Sequence, residues 1–300
     1  MATTSYHSSL SRLFVSRLVA FLCFSKLCLC LMPKQLNLTT SLAMHMQWST
    51  AGATWYGHPN GAGIDGGGRC GYGDLVLKPP FSSLTVSLRN PFHSIPSRGC
   101  GACLQVKCTS NPLCSGKSVR VVVTDHYNPE GPSMSTTSHF HIRPRLAKAL
   151  HSDFWLSGTA FGALANPGEE DQLRSSKLLQ IQYSRVPCDY SGTTIALRVL
   201  PGSTHNKLGL AIQSPKSDIV RIDLKEASRG SDESSEWKPM QKLLGGAWQF
   251  VSGSALQAPI SIRLRSSNSG QTMVADAVIP GGWQPGSTYR SLATSESHLV

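Results

Sequence analysis

Apolar positions along this chain fall in short runs, not in long stripes. Leu104-Gln-Val-Lys107 and Leu178-Leu-Gln-Ile-Gln-Tyr183 alternate apolar and polar residues, the period of a half-buried β-strand. Val119-Arg-Val-Val-Val-Thr124 is almost continuously apolar and stops at Asp125, which predicts a buried strand. Thr54-Trp-Tyr56 reads as a short strand closed by Gly57, with a glycine-rich loop, Gly61–Gly68, after it. Beyond residue 193, runs recur between turn residues at Thr194–Leu200, Leu208–Gln213, Ile219–Leu224, Ala247–Val251, Ile260–Arg265 and Thr272–Ala277, the spacing of a β-sandwich. Helical patterns are confined to two short stretches, Arg145–Phe154 and Glu169–Arg174. The pattern predicts an all-β chain: a compact β unit with large loops, then a sandwich.

Cysteines sharpen the division. Three of the nine (Cys23, Cys28, Cys30) lie near the N-terminus, and six (Cys70, Cys100, Cys103, Cys108, Cys114, Cys188) lie in the first β unit, Cys70 and Cys100 beside glycine. An even set at such spacing predicts three disulfides and an oxidising compartment. Cys100-x-x-Cys103 is also half of a zinc pattern, but no second pair follows at finger spacing. No metal or cofactor is expected. The N-terminus agrees with secretion: a basic, Ser-rich start precedes the apolar runs Leu18–Phe24 and Leu27–Met32. Arg17 and Lys26 interrupt this stretch, whereas a membrane span needs about 20 unbroken apolar residues. An organelle-targeting segment is the competing reading, because acids are absent and Ser and Arg are present. The expected organisation is a leader over residues 1–46, a barrel domain over 47–193 and a sandwich over 194–300, with Asp189–Thr193 as linker. Asn37-Leu-Thr39 is a glycosylation acceptor if cleavage falls before it.

The formal charge is +11, and four of those charges (Arg12, Arg17, Lys26, Lys34) belong to the leader, leaving +7 (11 − 4) for the remainder. A basic surface suits an anionic partner. No run of five basic residues occurs, so no nucleic-acid partner is expected, and an acidic polysaccharide is the better candidate.

Ala53-Thr-Trp-Tyr-Gly57, Cys70-Gly-Tyr72, Gly99-Cys-Gly-Ala-Cys103, Thr124-Asp125, Leu156-Ser-Gly-Thr-Ala-Phe-Gly-Ala163 and Arg185-Val-Pro-Cys188 together resemble a plant expansin. The Asn60-Gly-Ala-Gly63 loop, Lys107-Cys-Thr109 and Cys114 resemble the β-expansins, relatives of grass-pollen group-1 allergens. Val278-Ile-Pro280, Trp283 and Thr288-Tyr-Arg-Ser291 match the family's C-terminal domain. The resemblance implies a six-stranded double-psi β-barrel, related to family-45 endoglucanases, followed by an immunoglobulin-like β-sandwich that binds carbohydrate. It implies the pairs Cys70–Cys100, Cys103–Cys188 and Cys108–Cys114. It also implies a monomeric, secreted cell-wall protein that disrupts noncovalent contacts between cellulose and xylan or other matrix glycans without hydrolysis. Two alternatives stand beside it: an endoglucanase-like hydrolase, and a binding-only or inactive product.

Inverting hydrolysis needs two carboxyl groups flanking the bond. Asp125, matching the family's Thr-Asp, and Asp65, in the glycine-rich loop, are the carboxylates expected at the groove. Each has an ordinary alternative as a turn or strand-end residue. The family's proton-donor-like Asp belongs to a His-Phe-Asp-Leu-Ser-Gly motif. Here Leu156-Ser-Gly158 follows Asp153-Phe-Trp155, and His139-Phe140 lies earlier, as though an insertion over 141–155 splits the motif and sets Trp155 in the acid's place. An indole cannot donate the proton, and Asp153 is the one nearby substitute. Thr54, Trp55 and Tyr56 are expected to line the groove, because aromatic faces with polar edges suit sugar rings. In the sandwich, Lys207 and Leu244 stand where the family places rings. Trp237 remains as a stacking candidate, and Trp248 and Trp283 are expected in the core.

Overall fold

The computed structural model describes residues 47–63, 68–89, 99–127, 152–188, 190, 194–214, 219–228, 236–243, 246–266, 271–291 and 294–295. The leader, Asn37, Asp65, Leu244 and residues 128–151 lie outside that set.

Six strands close into a barrel: β1 (Ser49–Tyr56), β2 (Thr85–Arg89), β3 (Cys103–Cys108), β4 (Val119–Tyr127), β5 (Ser152–Ser157) and β6 (Leu179–Val186), in the order β1-β5-β2-β4-β3-β6. β1 pairs with β5, and β2 with β4, in parallel; the other neighbours are antiparallel. The interior is filled by alternate residues: Ala53 and Trp55 from β1, Val86 and Leu88 from β2, Val121 and Val123 from β4, Phe154 and Leu156 from β5. Two short helices, α1 (Gly158–Gly162) and α2 (Glu170–Ser175), follow β5. The Ser157 hydroxyl caps α1 by accepting from the Ala160 N–H at 3.1 Å. Disulfides join Cys70 to Cys100, Cys103 to Cys188 and Cys108 to Cys114.

Two of these strands depart from the pattern reading. β2 reads Thr-Val-Ser-Leu-Arg and is buried almost throughout, so it offers no exposed polar positions for alternation to show. Ser152–Phe154, the end of the stretch whose pattern predicts a helix, belong to β5. Pairing with β1 on one side and β2 on the other satisfies both edges of this segment, which outweighs a weak local helical preference. The last residues of the stretch read as an insertion therefore complete the barrel.

The remaining strands are β7 (Ile195–Val199), β8 (Lys207–Gln213), β9 (Ile219–Lys225), β10 (Lys238–Pro239), β11 (Gln241–Lys242), β12 (Trp248–Val251), β13 (Ile260–Ser266), β14 (Thr272–Ile279), β15 (Thr288–Ser291) and β16 (Thr294–Ser295). They form two sheets, β10-β9-β13-β14-β16 and β11-β12-β8-β7-β15. Ile195, Leu197 and Val199, Leu208 and Leu210, Ile222 and Leu224, and Ile260, Ile262 and Leu264 alternate into one aliphatic core between them. Trp248 belongs to this core and Trp283 packs against it.

Barrel and sandwich belong to one compact unit. Tyr72, Phe81, Cys103, Val122 and Cys188 of the barrel share a buried cluster with Ala196 and Ala211 of the sandwich. Glycines permit the close approach. A Cβ on Gly71 would lie 2.6 Å from Leu200 Cδ2, and one on Gly246 would lie 2.6 Å from Cys100 Cβ. Among the described residues, no helix is long and apolar enough to cross a membrane.

Candidate functional site

Alternation that sends Ala53 and Trp55 into the barrel sends Thr54 and Tyr56 to its outer face. Ser87 of β2 and Trp155 of β5 point the same way, since their neighbours fill the interior. β4 needs a further device. Val121 and Val123 are interior, so strict alternation would send Asp125 inward too. A bulge intervenes: Val86 pairs with Val123, but the next residue, Ser87, pairs with Asp125. The extra residue, Thr124, turns Asp125 and then Tyr127 onto the outer face, a common use of bulges beside functional sites.

Asp125 is buried and well held. Its Oδ1 accepts the Arg69 backbone N–H at 2.9 Å and its Oδ2 accepts the Ser87 hydroxyl at 3.2 Å. Gly68, with φ +67°, passes directly over it; a Cβ there would sit 2.6 Å from Asp125 Cβ. Tyr56 lies beside it. Burial, and then the Asp125 charge, push the Tyr56 phenol well above its ordinary range, against a smaller opposing effect of the Thr85 hydrogen bond. The phenol therefore stays protonated at neutral pH. Its ring passes beneath Gly63, whose added Cβ would lie 2.4 Å from Tyr56 Cζ.

Trp155 occupies the middle of this face and is only 1% exposed. Its ring centroid lies 4.6 Å from that of Tyr127 and 6.3 Å from that of Tyr56. Burial likewise raises the Tyr127 phenol above its usual range. Two residues before Trp155, Asp153 forms an ion pair with Arg89 Nη1 at 3.3 Å. The face thus offers one carboxylate wrapped in donors, three stacked or tilted rings and a second carboxylate engaged by an arginine.

Of the residues expected to line a groove, Thr54, Tyr56 and Asp125 come together on this face, all of them buried. The Thr54 hydroxyl donates to the Lys177 carbonyl. Trp55 lies on the opposite face, inside the barrel, where its indole N–H donates to the Arg174 carbonyl at 2.9 Å. Trp237 is half-buried in the sandwich, with Lys225 Nζ 5.1 Å and Arg263 Cζ 4.6 Å from its ring centroid. Lys207, at the start of β8, is half-buried. Sequence reasoning missed Tyr127, Ser87, Arg89 and the ion pair of Asp153. Tyr127, two residues past Asp125, carries the nearest signal, because the apolar run that begins at Val119 extends as one strand to it.

Cys100 and Cys103 are in disulfides with different partners. Among the described residues, Cys70, Cys100 and His126 converge as a group of metal-ligand types, but two of them form a disulfide with each other.

Residues 195–280 match the family model described as "Expansin C-terminal domain". A protein of Arabidopsis thaliana whose name places it among the expansin-B proteins is 42% identical over 264 residues, covering 87% of this chain and 88% of its own. Expansin-B11 of Oryza sativa subsp. japonica is 42% identical over 256 residues, 84% of this chain and 80% of its own. Among solved structures, a mutant expansin of Clavibacter michiganensis, crystallised in complex with cellohexaose, superposes with a TM-score of 0.52 at 23% identity, over 82% of this chain and 96% of its own. That likeness shows the shared fold, a double-psi barrel with an immunoglobulin-like sandwich.

Proposed function

The chain belongs to the expansin family, among its β-expansins, and from that premise we propose that it is a secreted wall-loosening protein that binds wall polysaccharides and separates noncovalent contacts without hydrolysis. In this reading the glycan lies over the outer barrel face. Thr54, Tyr56 and Asp125 build its floor, and Trp55 braces that floor from inside. Trp237 is the ring through which the sandwich contributes.

The observation that carries the non-hydrolytic reading is the indole of Trp155, packed between Tyr56 and Tyr127 in the place of a proton donor. Glycoside hydrolysis needs an acid on one side of the bond and a base or nucleophile on the other. Asp125 supplies one carboxylate, with hydrogen bonds that fix it as an acceptor. Asp153 faces Arg89. A face of rings and one anchored carboxylate suits binding and displacement of sugar chains better than bond cleavage.

The test pairs two assays on the secreted protein. Heat-inactivated plant walls held under load should extend when it is added, while cellulose, xylan and mixed-linkage glucan release no reducing ends. Steady product release that disappears in Asp125→Asn would establish hydrolysis instead. Absence of both extension and glycan binding would favour an inactive product.

A further inference from the structure

One end of the sandwich carries a pocket lined by no residue of the barrel face or of the seam where barrel meets sandwich. Three turns build it: Thr204 and His205 before β8, Leu256 and Ala258 before β13, and Gly282, Trp283 and Pro285 before β15. All three are pinned. The His205 carbonyl accepts the Leu256 N–H at 2.8 Å, and the Val199 carbonyl accepts the Gly286 N–H at 2.8 Å. The Glu226 carboxylate accepts the Gln257 N–H at 2.8 Å, and the Tyr289 hydroxyl accepts the Gln284 N–H at 3.1 Å. The pocket is therefore built before any ligand arrives.

Most of its wall is apolar. Leu256 belongs to the sandwich core, and Ala258 and Trp283 pack against that core. Trp283 is only half-buried, and Pro285 adds a rigid, exposed ring. The space measures about 290 Å³. An apolar cavity of about 150 Å³ holds benzene, so this one takes a benzene ring with its substituents. Two polar side chains line it, Thr204 and His205, both exposed. The Thr204 hydroxyl donates to Asn206 Oδ1 at 2.9 Å, so what it offers a ligand is an acceptor. The lining holds no carboxylate, lysine or arginine.

We infer that this pocket binds one neutral phenolic ring, its face on Trp283 and its hydroxyl donating to the Thr204 oxygen. A flat ring matches a wall of indole and pyrrolidine. One phenolic hydroxyl matches one waiting acceptor. A sugar ring carries several hydroxyls, most of which would be stranded against Leu256, Ala258 and Pro285. A proline ring brings no donor for Thr204. The inference goes beyond the glycan-binding reading. Only the source of the ring, a free phenolic ester or one carried on a matrix glycan, touches it.

The experiment titrates the full chain with methyl para-hydroxycinnamate, followed by calorimetry and by the NMR resonances of Trp283 and His205. Both resonances should shift and saturate together. The para-methoxy analogue lacks the phenolic donor and should bind about fivefold more weakly, the fold-change of one ordinary hydrogen bond. Thr204→Val should bring the two esters within about twofold of each other. Trp283→Leu should weaken both about tenfold. Trp283 packs against the core, so Thr204→Val, at an exposed position, carries the test if the Trp283 variant fails to fold. Equal binding of the two esters, no shift at Trp283, or discrimination undiminished by Thr204→Val would overturn the assignment. So would tighter binding of a proline-rich or tyrosine-containing peptide than of the ester. A xylan oligosaccharide bearing an ester-linked para-hydroxycinnamoyl group, compared with the same fragment after saponification, identifies the source. Tighter binding than the methyl ester points to glycan-borne rings, and equal or weaker binding to the free ester. Binding of the saponified fragment at the same resonances would make this a sugar site and sink the proposal. Failure of the methyl ester counts against the pocket alone, and failure of the wall-extension and glycan-binding assays above counts against the glycan reading alone.

Discussion

The barrel and the sandwich are both all-β, yet they are held by different means. All six disulfide cysteines belong to the barrel and its exit, and none to the sandwich strands. The barrel buries Thr54, Ser87, Thr124 and Asp125 beside its aromatic rings, while the sandwich core is an aliphatic layer of Ile, Leu and Val with few rings. The contrast teaches where specificity is stored. The layer between the sandwich sheets relies on burial of interchangeable hydrocarbon, which tolerates volume-conserving exchange, and the pairing of Asp223 with Arg221 and Arg263 lies outside that layer. The barrel face relies on particular hydrogen bonds and ring contacts, where each partner is fixed by another.

If that is right, the most damaging change should fall on the barrel face. Trp155→Asp removes a fully buried indole and inserts a carboxylate among Tyr56, Tyr127 and Asp125. About 5 kcal/mol or more should be lost, from the cavity together with a buried charge. Urea unfolding measures it, and a loss under about 1 kcal/mol would mean the face is loosely packed after all.

Opening the long disulfide comes next. Cys103–Cys188 spans a sequence separation of 85, against 6 for Cys108–Cys114. The chain-entropy relation gives roughly 4.5 kcal/mol for the first and roughly 2 for the second. Paired Cys→Ala variants compared by guanidinium melts check the ranking, and equal effects would show that loop length does not govern the barrel.

Leu264→Ala tests the other half of the comparison. Leu264 is fully buried in the sandwich core, so about 3 kcal/mol should be lost. Leu264→Met should lose less than about 1.5, since it keeps the volume. A methionine variant as damaged as the alanine one would erase the proposed difference between the two halves.

The smallest effect is alkaline. Tyr56, Tyr72, Tyr127 and Tyr190, on the barrel side or at the seam, all have phenols raised chiefly by burial. A phenol whose folded pKa exceeds its unfolded value near 10 contributes stability that is complete below pH 10 and is lost as the pH climbs above it. By pH 10 each should already have lost about 0.4 kcal/mol of stability relative to pH 8. Tyrosinate absorbance recorded with the unfolding midpoint follows this, and ionisation of all the tyrosines near pH 10 without loss of stability would contradict their burial.

The same contrast explains what the sequence made legible. Six sandwich runs stood out because they are apolar runs between turn residues, and in Ile195–Val199 and Ile260–Ser266 large apolar residues alternate with small or polar ones in plain view. β1, β3, β4 and β6 were visible for the same reason or from apolar run length. β2 and β5 were not, because both are buried almost throughout and no wetted position marks the alternation. The motif residues Thr54, Tyr56 and Asp125 were legible as candidates, but their shared face depends on the bulge at Thr124, a one-residue irregularity without a distinctive composition. Trp55 reads as a groove residue by its neighbours and is interior by parity. The Asp153–Arg89 pair joins residues 64 positions apart, a distance over which pattern carries no information.

The sandwich edges have a bearing on self-association. A closed barrel has no free strand edge, and the outer strands of the two sheets are short: Lys238–Pro239, Gln241–Lys242, Thr288–Ser291 and Thr294–Ser295. Pro239 lacks the amide a neighbouring chain would recruit, and the lysines at 238 and 242 repel a second copy approaching edge-on. Among the described residues, such a molecule has little edge from which fibrils could grow, even at high local concentration.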